Sequence, residues 1–284
     1  MKQLKLAEPR GICGGVRRAL TLLDGIRQQQ AGDIYVLHEI VHNNFVIRKL
    51  KAQGVHFVED LAAVPDGATV VFSAHGVPPA VGQEAVRRGL RIVDATCPLV
   101  KRLPCAAVES VENGEMTILI GHRDHPEVIG VLGQRPGRIR LLEDAAGIGA
   151  LPPFTGPVRV LCQTTLDTEW IGRLLALLRE RYPQLIADAG VCFATGERQA
   201  AVRQLAAEVE AMIVVGSPRS SNSNRLRDIA AERVPAWLID VPEDLAKIDL
   251  TAFRVIGLTA GASVPDELSQ AVIGALAAYG FAAD

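Results

Sequence analysis

The sequence predicts an α/β fold made of three small, related α/β domains with parallel-rich sheets. Short apolar runs typical of buried strands alternate with amphipathic helical segments along the 284 residues. A strand, a turn and a cysteine also recur three times at matched spacing, which indicates an internal repeat. We expect domains at residues 1–96, 97–191 and 192–284, since a chain of this length has room for two or three.

The first repeat opens on Cys13, which lies in a glycine-rich turn between an apolar run at 4–6 and an amphipathic segment at 16–26. A thiolate at such a helix start is stabilised by backbone N–H groups and by the positive end of the helix dipole. Cys13 is therefore suited to be a metal ligand or a nucleophile. The strands predicted after it lie at 34–37, 55–59 and 69–72. The first and third of these strands lead into polar loops around His42 and His75.

The same order of elements restarts near Cys97 and near Cys192, and Pro98 suits the first position of a helix. The predicted strands are 91–94, 117–120, 141–144, 158–161, 211–215, 238–240 and 255–258. The first polar loop lies 29, 28 and 30 residues after each cysteine, at His42, His125 and Asn222. The second lies 62, 67 and 71 residues after it, at His75, Thr164 and Ser263. All nine landmarks follow predicted strands, where parallel sheets bind their ligands.

A pseudo-threefold arrangement of the repeats would bring Cys13, Cys97 and Cys192 to one point. Three thiolates without a fourth fit an iron–sulfur cluster with one open iron, or a three-cysteine zinc site with an open position. The side chains expected around that point are donors suited to an anion such as phosphate. They are His42, His75, His125, Thr164, Thr165, Ser220, Ser221, Asn222 and Ser263.

The other histidines and cysteines have no place in the repeat. His38, His56 and His122 are expected on the surface or satisfied in the core. Cys105 and Cys162 are expected to be packing residues.

Composition excludes several classes of function. A net charge of −2 and a pI near 6.3 give no sign of nucleic-acid binding or of an anionic membrane as partner. The sequence has no signal-peptide pattern and no apolar run near the ~20 residues that span a bilayer. We expect a cytoplasmic protein whose five cysteines are thiols or metal ligands rather than disulfides.

Taken together and in this order, the motifs resemble the LytB family, the 4-hydroxy-3-methylbut-2-enyl diphosphate reductases of the non-mevalonate isoprenoid pathway. The resemblance covers nearly the whole chain. The motifs that carry it are Gly11-Ile12-Cys13-Gly14-Gly15-Val16, Val41-His42-Asn43, Ser73-Ala74-His75-Gly76-Val77, Asp94-Ala95-Thr96-Cys97-Pro98, His125-Pro126-Glu127-Val128, Gln163-Thr164-Thr165-Leu166, Cys192-Phe193-Ala194-Thr195, Ser220-Ser221-Asn222-Ser223-Asn224-Arg225 and Thr259-Ala260-Gly261-Ala262-Ser263.

The resemblance implies a trefoil of three α/β domains around a central 4Fe-4S cluster, held by Cys13, Cys97 and Cys192, whose unique iron binds the substrate hydroxyl. It implies a two-electron, two-proton reductive dehydroxylation of an allylic diphosphate to isopentenyl and dimethylallyl diphosphates. Glu127 matches the proton donor, and Thr164 helps it orient the hydroxyl. The diphosphate ligands by this match are His42, His75, His125, Ser220, Ser221, Asn222 and Ser263. We also expect Thr165 to contact the substrate, His125 to assist catalysis, an electron donor such as ferredoxin or flavodoxin, and a monomer.

Two stretches depart from the family pattern. Lys101-Arg102-Leu103-Pro104 replaces Thr-Lys-Val-His and places a proline within a predicted helix. Gly196-Glu197 replaces Thr-Asn after the third cysteine. These departures leave open the alternative that the protein is a divergent paralogue that reduces another allylic diphosphate or alcohol.

A non-catalytic protein that holds a cluster and binds diphosphate is a further alternative, and so is a zinc hydrolase. Binding alone would not require Glu127 and Thr164, which favours the reductase. The hydrolase is disfavoured because the pattern gives a three-cysteine site no obvious neighbouring base.

Overall fold

A computed structural model of the chain describes residues 2–29, 32–188 and 190–283, which form thirteen strands and nine α-helices. The strands are β1 (Lys2–Leu6), β2 (Ile34–Leu37), β3 (Val55–Val58), β4 (Thr69–Phe72), β5 (Arg91–Asp94), β6 (Met116–Ile120), β7 (Ile139–Leu142), β8 (Val158–Cys162), β9 (Leu185–Asp188), β10 (Ala211–Val215), β11 (Ala236–Ile239), β12 (Val255–Ala260) and β13 (Phe281–Ala283). The helices are α1 (Gly14–Gln29), α2 (Asn44–Ala52), α3 (Pro79–Arg87), α4 (Pro98–Glu112), α5 (Pro126–Leu132), α6 (Thr168–Arg181), α7 (Phe193–Ala206), α8 (Ser221–Ala231) and α9 (Asp266–Ala278). No helix in these ranges combines the length and the apolar character needed to cross a membrane.

The strands form three sheets, and every strand pair in them is parallel. The strand orders are β3-β2-β4-β5, β7-β6-β8-β9 and β11-β10-β12-β1-β13. Helices connect most successive strands, as parallel pairing requires. The predicted α/β fold class with parallel sheets is therefore confirmed. The chain also divides into two compact units, which are described separately below.

The first unit comprises Met1–Arg17, Val41–Gln53 and Phe193–Asp284, and it contains the five-stranded sheet. Alternate residues of β10 face opposite sides of this sheet. Ile213 belongs to the apolar cluster that includes the buried residues of α9, whereas Met212 belongs to the cluster of α7 and α8. Both faces are thus covered, which explains why β10 is apolar at every position.

The N-terminal strand β1 pairs with β12 and β13, so the five-stranded sheet joins the two ends of the chain. Leu4 stands opposite Ile256, and both side chains are fully buried. Cys13 consequently follows a strand of the sheet that contains β10 and β12. The division into domains at 1–96, 97–191 and 192–284 stays a prediction.

The second unit comprises Arg18–Ile40 and Gly54–Cys192, and it contains both four-stranded sheets. In one sheet, β4 is buried along its whole length. In the other, Ile118 packs with the apolar residues of α6, and the neighbouring Leu119 packs with those of α4 and α5. α4 begins at Pro98 as predicted and continues through Pro104 to Glu112.

Candidate active site

Eight of the nine landmarks lie in the loop that directly follows a strand, and Asn222 is in the first turn of α8, the helix that follows β10. The three cysteines follow β1, β5 and β9, and the polar loops follow β2, β4, β6, β8, β10 and β12. In each sheet the three strands concerned are adjacent and parallel. The prediction that the landmarks follow the carboxyl ends of strands is therefore confirmed.

The backbone around each cysteine is held in the same way. The Cys97 N–H donates to the Ala74 carbonyl at 3.0 Å, the Cys192 N–H to Thr164 at 3.2 Å, and the Cys13 N–H to Ala262 at 3.0 Å. Each acceptor belongs to a second polar loop, the one that carries His75, Thr164 or Ser263. The repeat found in the sequence is thus a repeat of hydrogen bonding as well.

The three cysteines also share a position at the start of a helix. Cys97 is the N-cap residue of α4, and Cys13 and Cys192 directly precede α1 and α7. All three are partly exposed, and the Val16 N–H lies 3.5 Å from the Cys13 sulfur. N–H groups at a helix start stabilise a thiolate. This donor set suits an iron–sulfur cluster, whose ligands are thiolates. Over the described ranges, no three His, Cys, Asp or Glu side chains are grouped so as to hold a metal ion.

The two remaining cysteines differ from each other. Cys162 is fully buried in the core beside α6, which confirms its predicted packing role, and burial raises the pKa of its thiol to about 12. The same prediction for Cys105 is wrong, because Cys105 is exposed. The buried face of α4 is made by Leu103 and Ala107, and Cys105 lies between them on another face of the helix.

Glu127 and Thr164 form a buried pair. The Glu127 side chain is in the first turn of α5 and is 3% exposed. Its carboxyl accepts the Thr164 hydroxyl at 2.9 Å and the Thr164 backbone N–H at 3.2 Å. Burial raises the pKa of Glu127 to about 7, and the bonds from Thr164 oppose that shift. The carboxyl is thus poised to hold and release a proton near neutral pH.

Two histidines meet beside this pair. The rings of His75 and His125 are 6.3 Å apart and nearly perpendicular. His125 caps α5 by accepting the Glu127 N–H at Nδ1, at 3.2 Å, which fixes the orientation of its ring. Two neighbouring imidazoles repel each other when both are protonated, and a bound anion relieves that repulsion. The arrangement suits a phosphate group.

The start of α8 carries the serine and asparagine landmarks. Ser220 caps the helix through its hydroxyl, which accepts the Ser223 N–H at 3.2 Å, and Ser221 is the first helical residue. Asn222 is 6% exposed, and neither polar atom of its amide has a hydrogen-bond partner among the residues that the structure describes. A buried amide in this state needs a ligand or solvent. Gly261 makes room for the neighbouring Ser223, since a Cβ there would lie 2.1 Å from the Ser223 hydroxyl.

Contacts also connect two landmarks of the first unit to each other, because the Ser263 hydroxyl donates to the His42 carbonyl at 3.1 Å. In the second unit, Thr165 accepts a hydrogen bond from the Gln163 amide at 2.7 Å. The contacts described here connect predicted site residues within each compact unit. That the site residues of the first unit and those of the second unit bind the same ligand stays a prediction.

Comparison with models of protein families identifies the family to which a chain with this site belongs. The model described as "LytB protein" matches residues 4–277. The chain belongs to the LytB family. A relative of this LytB chain from Chromohalobacter salexigens, named 4-hydroxy-3-methylbut-2-enyl diphosphate reductase, is 47% identical over 98% of this chain and 90% of its own. A relative of the same name from Zymomonas mobilis subsp. mobilis is 44% identical over 99% of this chain and 84% of its own.

Solved structures give the same family for the LytB chain. The E-1-hydroxy-2-methyl-but-2-enyl-4-diphosphate reductase from Plasmodium falciparum matches it with a TM-score of 0.95 and 33% identity, over 99% of this chain and 91% of that one. A structure described as (E)-4-hydroxy-3-methyl-but-2-enyl diphosphate reductase, the terminal enzyme of the non-mevalonate pathway, matches with a TM-score of 0.71 and 31% identity. It covers 98% of this chain and 100% of that one.

Two residues of this LytB chain support the site although the sequence analysis gave them no role. Arg198 is buried in α7, and its guanidinium donates to the Gly11 carbonyl at 2.8 Å, two residues before Cys13. Gln163 is fully buried and accepts the His122 N–H at 3.0 Å while its amide holds Thr165. Gln163 directly precedes the landmark Thr164, whereas Arg198 lies among polar residues, and no sequence signal distinguishes it as buried.

The three histidines without a place in the repeat were expected either on the surface or satisfied in the core. The structure places them on the surface. His38 pairs with Glu59 and His56 with Asp33, and all of these side chains are well exposed. His122 is exposed too. None of the three is needed to build the site.

Proposed function

We propose that this chain is a 4-hydroxy-3-methylbut-2-enyl diphosphate reductase that uses a 4Fe-4S cluster to remove the hydroxyl of its allylic diphosphate substrate. The observation that carries the proposal is the buried Glu127 carboxyl bonded to Thr164. Binding alone has no use for a proton donor whose pKa burial has raised to about 7. The choice of substrate and of a reduction as the reaction is supported by membership of the LytB family, whose relatives carry this name.

Cys13, Cys97 and Cys192 would hold the cluster, one thiolate each. When bound, it would supply the two electrons one at a time and a Lewis-acidic iron at the reacting carbon–oxygen bond. An external electron donor such as ferredoxin or flavodoxin would feed it. We propose that the enzyme works in the cytoplasm as a monomer.

The chain's own residues would bind and orient the substrate. His42, His75, His125 and the start of α8 would hold the diphosphate by charge-assisted bonds and helix N–H groups. Ser220, Ser221, Asn222, Ser263 and Thr165 would complete its hydrogen bonds. The otherwise unpartnered amide of Asn222 supports this assignment. Binding the distant diphosphate firmly would fix the hydroxyl end beside Glu127.

Glu127 would then move one proton. Its O–H bond would break as the substrate's carbon–oxygen bond breaks, so the hydroxyl leaves as water. The leaving water takes the electron pair of the carbon–oxygen bond, and the allyl group keeps the two electrons of the reduction and takes a second proton at either end of its three-carbon system. Protonation at one end gives isopentenyl diphosphate and at the other dimethylallyl diphosphate. Thr164 would position the Glu127 carboxyl throughout.

The test is reconstitution of the full chain with iron and sulfide under anaerobic conditions. A visible and Mössbauer spectrum should show a 4Fe-4S cluster. With an artificial reductant, the protein should convert the hydroxylated diphosphate to both isoprenoid diphosphates. A reconstituted protein with an intact cluster that leaves this substrate unchanged would contradict the proposal.

We expect His75→Ala to raise the dissociation constant for inorganic diphosphate at least tenfold. Charge-assisted hydrogen bonds contribute roughly 1.5 to 3 kcal/mol each, and 1.4 kcal/mol is a factor of ten in affinity. Isothermal titration calorimetry at low ionic strength measures the constant. His38→Ala is the matched control, because the half-exposed His38 side chain pairs with Glu59 in a surface ion pair. Equal affinities of the wild type and His75→Ala would remove His75 from the binding site.

A further inference from the structure

A cavity of about 650 Å³ lies among α3, α4 and α5 in the second unit. Its inner wall includes Thr96, Glu127 and Gly130, which are buried, and its mouth includes Lys101 and Glu109, which are exposed. The cavity therefore extends from solvent to the carboxyl-bearing residue of the buried pair. Its volume far exceeds the ~30 Å³ share of one water, and polar groups stand at both ends to bind water.

Glu127 needs such a connection. It gives up one proton in each turnover of the proposed reaction and must regain one before the next. On one side its carboxyl is covered by the hydroxyl and N–H of Thr164, which donate to it and so bring no proton from solvent. The side chain has almost no direct exposure. Water molecules in the cavity that Glu127 lines offer a path by which a proton can reach it.

Two glycines, Gly130 and Gly82, line the cavity wall. Gly130 lies within α5, one turn after Glu127, where glycine costs roughly 0.5 to 1 kcal/mol relative to alanine. Its φ is not left-handed, and a Cβ built on it would meet only the Val77 carbonyl carbon, at 3.9 Å. Neither backbone conformation nor close packing thus requires glycine here. Gly82 of α3, also on the wall, has nothing within 4 Å of a built Cβ.

We propose that this cavity is the solvent route by which Glu127 is reprotonated, and that a large side chain at Gly130, on the cavity wall, would obstruct the route. The inference rests on the proposed function for its purpose. In the step concerned, a solvent acid such as hydronium loses a proton to the water molecules in the cavity. The water nearest Glu127 passes a proton to the carboxylate, and a new O–H bond forms. No electrons move.

The first experiment follows the Glu127 proton without any turnover. At pH 6, below the pKa of about 7, the side chain is a neutral acid whose infrared carbonyl band can be assigned by its loss in Glu127→Gln. On mixing with D₂O, that band should shift at least tenfold more slowly in Gly130→Leu than in the wild type. Gly130→Ala should exchange like the wild type. Gly172→Leu, at an exposed glycine of α6 with free space around it, is the control for a leucine added to a helix.

The second experiment separates the first turnover from the later ones. A Gly130→Leu protein that is loaded with a proton at pH 6 should form one equivalent of product at the wild-type rate. Its later turnovers should be at least tenfold slower. A slow first turnover would mean that the leucine disturbs the chemistry itself, and it would overturn the proposal.

Gly82→Leu blocks the same cavity from the opposite helix and replaces Gly130→Leu if that protein does not fold. Equal exchange rates in the wild type and in a folded, blocked variant would overturn the route, whatever the enzyme's activity. Slowed exchange in a protein that does not reduce the substrate would support the route and contradict the proposed function. The two failures are thus distinguishable.

Discussion

Cys97→Ser should lower the iron content of the reconstituted protein from about four atoms per chain to below one, with loss of the cluster spectrum and of all reductase activity. Cys97 is the N-cap of α4, its N–H is fixed to the Ala74 carbonyl, and its sulfur is partly exposed. A serine hydroxyl keeps the size of the side chain but is a far poorer iron ligand than a thiolate. The same loss is expected for Cys13→Ser and Cys192→Ser, which share this setting.

The chain offers matched controls in its other two cysteines. Cys162 lies in the apolar core, and burial raises the pKa of its thiol to about 12, so it stays a neutral thiol that does not bind iron. Cys162→Ala avoids placing a hydroxyl in that core. Cys105 is exposed and outside the repeat, and Cys105→Ser should keep full iron content. Iron and acid-labile sulfide assays on all five variants make the comparison.

Normal iron content in Cys97→Ser would contradict the ligand assignment. So would loss of iron in Cys105→Ser with Cys97→Ser unaffected. The thermal unfolding of each cluster-free protein should resemble that of the wild-type protein without iron, which separates a lost ligand from a lost fold.

Much of the fold could be predicted from the sequence, because its strands are short apolar runs that end in recognisable loops. Strands buried on both faces are almost wholly apolar: β10 is apolar at every position, and β4 is apolar after Thr69. Two strands were not predicted, β9 and β13, and both are at the edge of a sheet. Both are short, at four and three residues, and the apolar Ile186 of β9 is exposed rather than buried. The pattern on which strand prediction depends is therefore weak there.

The pairing of β1 could not be predicted either. Its sequence is that of an ordinary short strand, and nothing local distinguishes a partner nearby from one at the other end of the chain. The register of Leu4 on Ile256 depends on tertiary packing, with both residues in the same apolar cluster. The spacing of Cys13 from His42 and His75 indicated the repeat correctly but gave no information on which sheet receives β1.

Some parts of the candidate site could be predicted from the sequence alone, and others could not. Spacing alone identified the loops that follow strands, because a parallel sheet places its loops in a regular order. The contact between Glu127 and Thr164 came only from the family resemblance, since no periodicity links two residues in separate loops. The cavity beside Glu127 was invisible in the sequence, because its walls come from three helices that are adjacent only in the folded protein.

Glu127→Gln should slow steady-state turnover by about 10² to 10⁴, which is the range that general acid catalysis contributes. Glutamine keeps the size of the side chain and a carbonyl that can accept from Thr164, but it has no proton to give. Iron content and substrate affinity should change little, and substrate should accumulate with its hydroxyl intact. Thr164→Val is a useful companion: it removes the hydroxyl bonded to the carboxyl at 2.9 Å and leaves the proton in place, so its loss of rate should be smaller.

The pH profile tests the same role. Burial, the larger influence, raises the pKa of Glu127 from 4.5 to about 7, and the bonds from Thr164 only partly offset it. The wild-type rate should therefore fall as the pH rises through about 7 and Glu127 loses its proton. That limb should be absent from the residual activity of Glu127→Gln. Wild-type turnover that is independent of pH between 6 and 8 would count against Glu127 as the acid, unless proton transfer is shown by solvent isotope effects not to limit the rate.

Stability provides a check that needs no substrate. In the folded protein Glu127 keeps its proton up to about pH 7, whereas in the unfolded chain it loses it near 4.5. The folded state thus binds more protons in that window, so its stability should fall as the pH rises from about 4.5 to above 7, by on the order of 3 kcal/mol from this residue. Urea unfolding of the cluster-free protein should show a smaller decrease in Glu127→Gln than in the wild type. Equal decreases, together with a turnover near the wild-type rate, would assign the proton donor to another residue.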